Sequence, residues 1–589
     1  MTLRRFLRPW PSFVVLSFAL LSWRIFAFSG LPYFRDLITF PFYYNLLEGR
    51  VDLVLFERTI YNGLVTAGVP AVQVSRWFYQ TTFFTGLVVT YLSLRKISRL
   101  VSPNVPESNK IFAYLLTCLY VFNPWVYERF LMGQYTVFRG HLFFLLAVYL
   151  GMRAIEELEA PNSATSSKNI FWLLGFALSG LTLISTHHGL LASVLLVYLG
   201  GWNFLKRRRN FSWLNLRSLM TKAAFVFIFP LLILLNRYAN FDGAQQTYFF
   251  ETISQNPGYE SEIIRAFSAI PAPGTSLVSQ VLIGAASWMT PSFIEPEEGR
   301  LVLGGLQHLT YYYTPELTWL AITFSGIGAY LIFRKVRRNK LTFLYPLSFL
   351  LPVSLLLSFG YSGPLWQRFN SWFYLLPFSY SFREPGKFYS LFLALFILTS
   401  TVVLPTYRKK IRIGATLGLS GLLVSNLLLF VPLTQTTIYY NLPAEITTEV
   451  SRFCSGQNPE RVLFYPFQTY VRLESLDTYT TYPYAHLTTC SILKPNRTSV
   501  RTSGGESLTL FTSEIAESVD KTTNAYLASQ NSSQDFQTYI TFLHKTEITV
   551  IVLDSTHYPE LEKLSDYLDD YLVNQAQTRN LGVYFLEQE

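Results

Sequence analysis

The sequence predicts a multi-pass α-helical membrane protein of about eleven transmembrane helices, followed by a small extracytoplasmic α/β domain. Three observations carry this. Only 14% of the 589 residues are charged and 50% are hydrophobic, whereas an ordinary soluble domain has about 25% charged residues. Apolar runs of roughly 17–22 residues recur along the chain, the length a helix needs to cross the hydrocarbon core. From about Asn441 the composition turns polar, with strand-like and amphipathic helical patterns in place of apolar runs.

The runs lie at 12–29, 77–94, 111–125, 137–154, 169–186, 189–205, 220–236, 317–333, 341–359, 387–405 and 413–433. The third is short, and Asn123-Pro124 predicts a kink where it continues. The N-terminal MTLRRFLRPW has the charge of a signal-peptide start. The run after it is long and lacks a small-residue cleavage site, so it reads as an uncleaved first span.

Orientation follows from five basic clusters: Arg4, Arg5 and Arg8; Arg95, Lys96 and Arg99; Lys206 to Arg209; Arg334 to Lys340; and Arg408 to Arg412. All five fall on one side of an eleven-span chain, and the positive-inside rule makes that side cytoplasmic. The N-terminus is then expected in the cytoplasm of a cell whose plasma membrane holds the protein. Segments 30–76, 126–136, 187–188, 237–316, 360–386 and 434–589 are expected outside. The division is a transmembrane domain over 1–436, with external loops 30–76 and 237–316, and an outer domain over 437–589. The net charge of +10 resides in clusters between apolar runs, so it sets orientation and does not imply nucleic acid. Aromatic residues, at 17%, suit interfacial belts and aromatic-lined grooves.

In the outer domain RVLFYPF (461–467), ITVIVLD (548–554) and GVYFLEQ (582–588) read as strands, and 536–545 and 559–572 as amphipathic helices between them. This order predicts a parallel sheet. Asp554, Ser555 and His557 follow a strand but lack a nucleophile elbow, so they read as strand-end capping. Sequons at Asn496 and Asn531 lie on the outer side and one at Asn210 on the inner. Cys118 sits in an apolar run and reads as packing. Cys454 and Cys490 leave a disulfide open, and no cysteine spacing fits zinc.

Ionisable residues near membrane depth are costly and usually mark function. Here they gather at the outer ends of spans. Asp36, the first acidic residue, follows the first span; it could deprotonate an acceptor hydroxyl, hold a divalent metal, or cap the helix after it. In SFREPGKFYSLF, Arg383, Glu384 and Lys387 stand at the start of the tenth span, where Pro385 suits a first helical turn. Free backbone N–H groups and two cations there would suit a phosphate; the alternative is a capped end with snorkelling cations. Glu128, Arg129, Arg139 and His141 surround the loop between spans three and four, as an interhelical ion pair or as ligand contacts. His187 and His188 form the turn between spans five and six. As adjacent residues they point apart, so together they make a poor metal site.

The stretches YFRDLITFPFYYNLLEGR and FREPGKF, set among many spans, resemble the integral-membrane glycosyltransferases of the GT-C superfamily. The resemblance implies a polyprenyl-phosphate-linked sugar donor and a glycan, glycolipid or protein acceptor. It implies transfer on the extracytoplasmic face with Asp36 as base or metal ligand. Donor phosphate would lie against Arg383 and Lys387, with Arg139 beside them and Glu128, Arg129, His141, His187, His188 and Glu384 in support. The cofactor is a divalent cation (Mg or Mn) held at Asp36, or none. Asp36 lacks the adjacent second acid that several members carry, which leaves open an inactive GT-C-like scaffold in an envelope assembly. A lipid or solute transporter is the third option; charges at one interface, away from mid-span, weigh against it.

Overall fold

The computed structural model describes residues 31–32, 60–61, 63–64, 67–101, 109–131, 134–159, 167–207, 213–240, 268, 278, 281–282, 330, 334, 344–360, 382, 384–430, 439–440, 461–465, 471–473, 476–480, 491–493, 497–501, 507–511, 514–529, 533–554, 561–571, 573–578 and 581–586. The chain divides into two units. The first comprises Met1–Ala27, Trp77–Arg237 and Ile263–Thr436, the second Phe28–Arg76, Tyr238–Glu262 and Thr437–Glu589.

The first unit is helical. Its helices are α1 (Ala71–Val101), α2 (Asn109–Val121), α3 (Pro124–Leu131), α4 (Tyr135–Glu159), α5 (Ser167–Ile184), α6 (Thr186–Arg207), α7 (Trp213–Asn240), α8 (Leu344–Ser358), α9 (Lys387–Val403) and α10 (Lys409–Phe430). The apolar runs that fall mainly on described residues coincide with helices; the run at 12–29, and that at 317–333 apart from Tyr330, lie outside the described residues. Among the described residues four helical stretches are long and apolar enough to cross a membrane: Tyr135–Glu157, Thr186–Lys206, Lys387–Thr406 and Lys409–Leu428. Three shorter apolar helices, Asn169–Ile184, Met220–Leu235 and Tyr345–Ser358, accompany them.

The expected kink is a full break. Asn123 caps α3, its Oδ1 accepting from the Val126 amide at 3.0 Å, and Pro124 takes the first helical position. Pro124 has no N–H, so the Tyr120 carbonyl four residues earlier loses its helical donor. The Asn123 Nδ2 group donates to that carbonyl at 2.7 Å, and Asn426 Nδ2 on α10 donates to the Phe122 carbonyl at 2.8 Å.

Helix α4 packs against α5 and α6, while α9 packs against α2, α4 and α8. α9 is buried along nearly its whole length. Two glycines permit close approaches near its head. Gly360, beyond the end of α8, has φ +63°, the left-handed conformation that suits a helix terminus; a Cβ there would meet Pro385 Cγ at 2.6 Å. A Cβ on Gly140 of α4 would meet Ser185 Cβ at 2.4 Å and His188 Nδ1 at 2.5 Å.

The second unit contains a two-residue ladder between β1 (Leu31–Pro32) and β2 (Tyr439–Tyr440), and a five-stranded sheet. Its strands continue as β3 (Arg461–Tyr465), β4 (Val471–Leu473), β5 (Leu476–Thr480), β6 (Ser491–Leu493), β7 (Arg497–Arg501) and β8 (Ser507–Phe511). Then come α11 (Glu514–Ala528), α12 (Ser533–Lys545), β9 (Ile548–Asp554), α13 (Glu562–Tyr571), β10 (Val573–Thr578) and β11 (Leu581–Phe585). The sheet order is β10-β11-β9-β3-β6. β3 runs parallel to β6 and β9, but β11 is antiparallel to β9 and β10. The sheet is therefore mixed where the sequence predicted parallel. β10 and β11 form a hairpin with a short connection, which returns the chain in the opposite direction without a helical crossover. One face of the sheet, through Leu463, Tyr465, Ile551 and Leu553, packs on Val519, Phe536, Leu543 and Leu564 of the three helices. The alternate residues Val462, Phe464, Val550 and Val552 are also buried, so β3 and β9 read as continuous apolar runs. Beneath the sheet, the Tyr465 hydroxyl bonds Tyr539 and Thr523. Cys118 is a buried free thiol; the disulfide considered between Cys454 and Cys490 lies outside the described residues.

The glycine contacts are testable. Gly140→Ala should destabilise the protein by about 1–3 kcal/mol through overpacking, while Gly180→Ala, with nothing within 4 Å of its Cβ position, should leave stability unchanged. Thermal midpoints of the two variants in detergent check this; equal midpoints would refute the packing assignment.

Candidate functional site

Six of the polar residues singled out in the sequence, Arg129, His141, His187, His188, Glu384 and Lys387, meet at the head of α9. Glu384, Pro385 and Gly386 lead into this helix through a tight turn. The amides of Lys387, Phe388 and Tyr389 donate to the carbonyls of Glu384, Pro385 and Gly386 at 3.1, 2.9 and 3.2 Å. The sequence expected these first amides to be free for a phosphate; the i→i+3 bonds of the turn use them instead.

Around this turn lies a buried charge network. Arg129 Nη1 on α3 donates to Glu384 Oε2 at 2.8 Å, and the two side chains are 1% and 8% exposed. Lys387 Nζ is 3.8 Å from Glu384 Oε1. The same Nζ donates to His187 Nε2 at 2.9 Å. Arg129 Nη1 also donates to Gln134 Oε1, and the guanidinium lies 5.5 Å from the centre of the Trp125 ring. Trp125 Nε1 in turn donates to the Gly386 carbonyl at 2.8 Å. Trp125 and Arg129, both on α3 beyond the break at Pro124, reach the turn before α9. The sequence offered an interhelical ion pair or ligand contacts for this group. Arg129 pairs with Glu384, which lies outside that group, in the turn that leads into α9.

A neutral network joins it one turn further along α9. Ser390 Oγ lies 2.7 Å from His141 Nδ1 on α4 and 2.8 Å from His188 Nε2 on α6. His188 Nδ1 lies 2.9 Å from Ser185 Oγ, and His141 Nε2 lies 3.1 Å from the Tyr120 carbonyl. Tyr120 donates its hydroxyl to the His141 carbonyl at 2.6 Å and stacks on the His141 ring, with centroids 3.9 Å apart. His187 and His188 do point apart: one meets Lys387, the other Ser390.

The structure thus brings together Arg129, Glu384, Lys387 and His187, and beside them His141 and His188. Glu128 is buried on α3. Arg139 is half-buried, its guanidinium 5.0 Å from the centre of the Phe78 ring on α1. Asp36 and Arg383 lie outside the described residues. Sequence reasoning missed Tyr120, Trp125, Gln134, Ser185 and Ser390. Ser390 alone left a signal, lying three residues from Lys387 and so on its face of α9.

Chemically, the described residues set two cations, Arg129 and Lys387, around the Glu384 carboxylate at a buried helix head, with His187 accepting from Lys387. That is an environment suited to an anion. Among the described residues no group of three or more His, Cys, Asp or Glu side chains is placed to hold a metal. The divalent cation envisaged at Asp36 concerns a residue outside them.

Comparison with known proteins places the architecture. No protein-family model matches the chain, and no curated protein does. The arabinofuranosyltransferase AftD from Mycobacteria superposes with a TM-score of 0.55 and 11% identity, over 99% of this chain and 40% of that one. A mutant form of AftD gives 0.52 and 11%, over 98% and 41%. An oligosaccharyltransferase from Archaeoglobus fulgidus, tethered to an acceptor peptide, superposes at 0.42 with 10% identity, over 99% and 74%. The AftD likeness shows the fold: this chain shares the architecture of that arabinofuranosyltransferase over 99% of its own length. The chain spans about two-fifths of the length of AftD.

Arg129→Met should destabilise the protein by about 3–5 kcal/mol, because it removes the close partner of a buried carboxylate. Adding Glu384→Gln in the same chain should recover much of that loss. A thermal-midpoint double-mutant cycle measures the coupling, and additive effects would show that the contact carries no energy.

Proposed function

We propose that the protein is a glycosyltransferase that moves a pentosyl or hexosyl unit from a polyprenyl-phosphate-linked donor to an envelope glycan, glycolipid or glycoprotein on the extracytoplasmic face. The observation that carries this reading is the likeness to AftD, whose name states arabinofuranosyl transfer, over 99% of this chain. The two cations Arg129 and Lys387 at the head of α9 support it, since a lipid phosphate needs cations.

In this reading the acceptor hydroxyl gives its proton to Asp36 as its oxygen attacks the anomeric carbon. The bond from that carbon to the phosphate oxygen breaks, and polyprenyl phosphate leaves with the electron pair. Lys387 and Arg383, with Arg139 nearby, stabilise the charge that develops on the leaving phosphate. Glu128, Arg129, Glu384, His141, His187 and His188 hold the cations in place. The N-terminus lies in the cytoplasm and segment 437–589 outside, where it meets acceptor or a partner protein. A divalent cation, Mg or Mn, would belong at Asp36; no step above depends on it.

One observation favours a second reading. Glu384 already partners both Arg129 and Lys387, which is what a catalytically silent scaffold of the same fold would need. A transporter fits less well, because the described buried charges stand at helix ends.

Asp36→Asn, expressed in place of the native chain, should abolish the glycan modification that depends on this protein while its membrane level is unchanged. Intact glycan profiles would remove the catalytic reading and leave the scaffold. Arg383→Ala should weaken binding of the lipid-phosphate donor to the purified protein.

A further inference from the structure

The bonds around Ser390 form one chain across four helices, α6, α9, α4 and α2, and its polarity can be worked out from its end. The Tyr120 carbonyl can only accept, so His141 Nε2 carries a proton and donates to it. In a neutral ring His141 Nδ1 must then accept, so the Ser390 hydroxyl donates to it. Ser390 Oγ therefore receives its own bond from His188 Nε2–H, and His188 Nδ1 accepts from the Ser185 hydroxyl. Every contact along the chain is satisfied with both rings neutral. The end that sets the direction exists because Pro124 leaves the Tyr120 carbonyl without a helical donor. His187 obeys the opposite rule: the Lys387 ammonium can only donate, so His187 Nε2 accepts and its proton sits on Nδ1.

We infer that Ser390 is a positioning residue: a one-directional relay from Ser185 through His188, Ser390 and His141 to the Tyr120 carbonyl fixes the first turn of α9 against α4 and α6, and thereby sets where Lys387 presents its ammonium. The functional consequence rests on the proposed role of Lys387 as a donor-phosphate cation. Three features support it beyond the bonds themselves. Ser390 stands one turn from Lys387 on the same helix. The two relay histidines sit on different helices, so the hydroxyl ties both to α9 at one point. Gly140 admits His188 Nδ1 and Ser185 to a distance that a side chain there would forbid.

The test is magnetic resonance of the full chain in lipid nanodiscs, with heavy-nitrogen-labelled histidine assigned by single His→Gln variants. The chain has only 7 histidines, so the spectrum is tractable. The expected result is opposite tautomers at two adjacent residues: the proton on Nε2 in His188 and His141, and on Nδ1 in His187. In Ser390→Ala the His187 signal should change although Ser390 does not bond it, and Ser390→Thr, which keeps the hydroxyl, should restore it. A charged ring or an Nδ1 proton at His141 or His188, or a His187 signal indifferent to Ser390→Ala, overturns the inference. Transfer activity should fall roughly ten- to a hundredfold in Ser390→Ala, as for a misplaced site group, and return in Ser390→Thr. The stated tautomers in a protein without transfer activity would overturn only the glycosyltransferase reading; other tautomers in an active protein would overturn only the relay.

Discussion

A carbonyl that loses its helical donor is the constraint from which the packing around α9 follows. In a buried setting such as that of Tyr120 no water replaces a lost backbone hydrogen bond, and an unsatisfied group costs about 1–3 kcal/mol. Pro124 creates such a group at Tyr120. The molecule answers with Asn123 and His141, and choosing a histidine as donor commits the rest. Its second nitrogen must be satisfied in turn, which brings in Ser390 of α9, then His188 of α6. A single proline thus determines which helices meet at the head of α9. It also separates α2 from α3, which bears Trp125 and Arg129 and brings both to the same turn.

The charge network depends on that placement. Arg129 and Glu384 are separated by 255 positions and are both nearly excluded from solvent. A buried ion pair is weak support for stability because desolvation offsets most of the attraction, yet breaking one is expensive. Its effect here is therefore to restrict alternatives: α3 and α9 cannot slide without stranding a charge. Trp125 adds a neutral bond to Gly386 beside it, and the absence of a side chain at Gly386 lets the guanidinium approach, with Nη2 3.0 Å from where a Cβ would stand.

Much of this was legible in the sequence, for physical reasons that differ by element. The apolar runs located helices because burial in lipid demands them by length alone. Asn123-Pro124 announced a break because both residues act locally, one as a cap and one as a missing donor. The site was legible as a set of residue types at helix ends, since ions at those positions need a reason. Their partners were not, because Arg129 with Glu384 and His141 with Ser390 are choices made by packing across hundreds of residues. Ser390 and Ser185 look like ordinary small polar residues of membrane helices, and only geometry distinguishes them. In the second unit, β3, β9 and β11 stood out as apolar strands. β10, reading VNQAQT, is polar enough to pass for loop, and missing it concealed the hairpin that makes the sheet mixed.

The burial of α9 also decides between two views of Lys387. A lysine at the end of a lipid-facing helix can extend its stem and place its ammonium in the interfacial water. Such a residue carries no information about a site. α9 is enclosed by protein over nearly all its residues, and the Lys387 side chain is 7% exposed. Its charge is held instead by Glu384 and by His187, and it lies one turn from a hydroxyl shared by two histidines. Burying a cation this way costs desolvation energy that a snorkelling lysine avoids. A helix head meant only to cap α9 would not need it, since the Pro385-Gly386 turn already satisfies the first amides. The cost is accounted for if the ammonium must stand at a fixed point facing an anion, which is what the lipid phosphate of a glycosyl donor would supply.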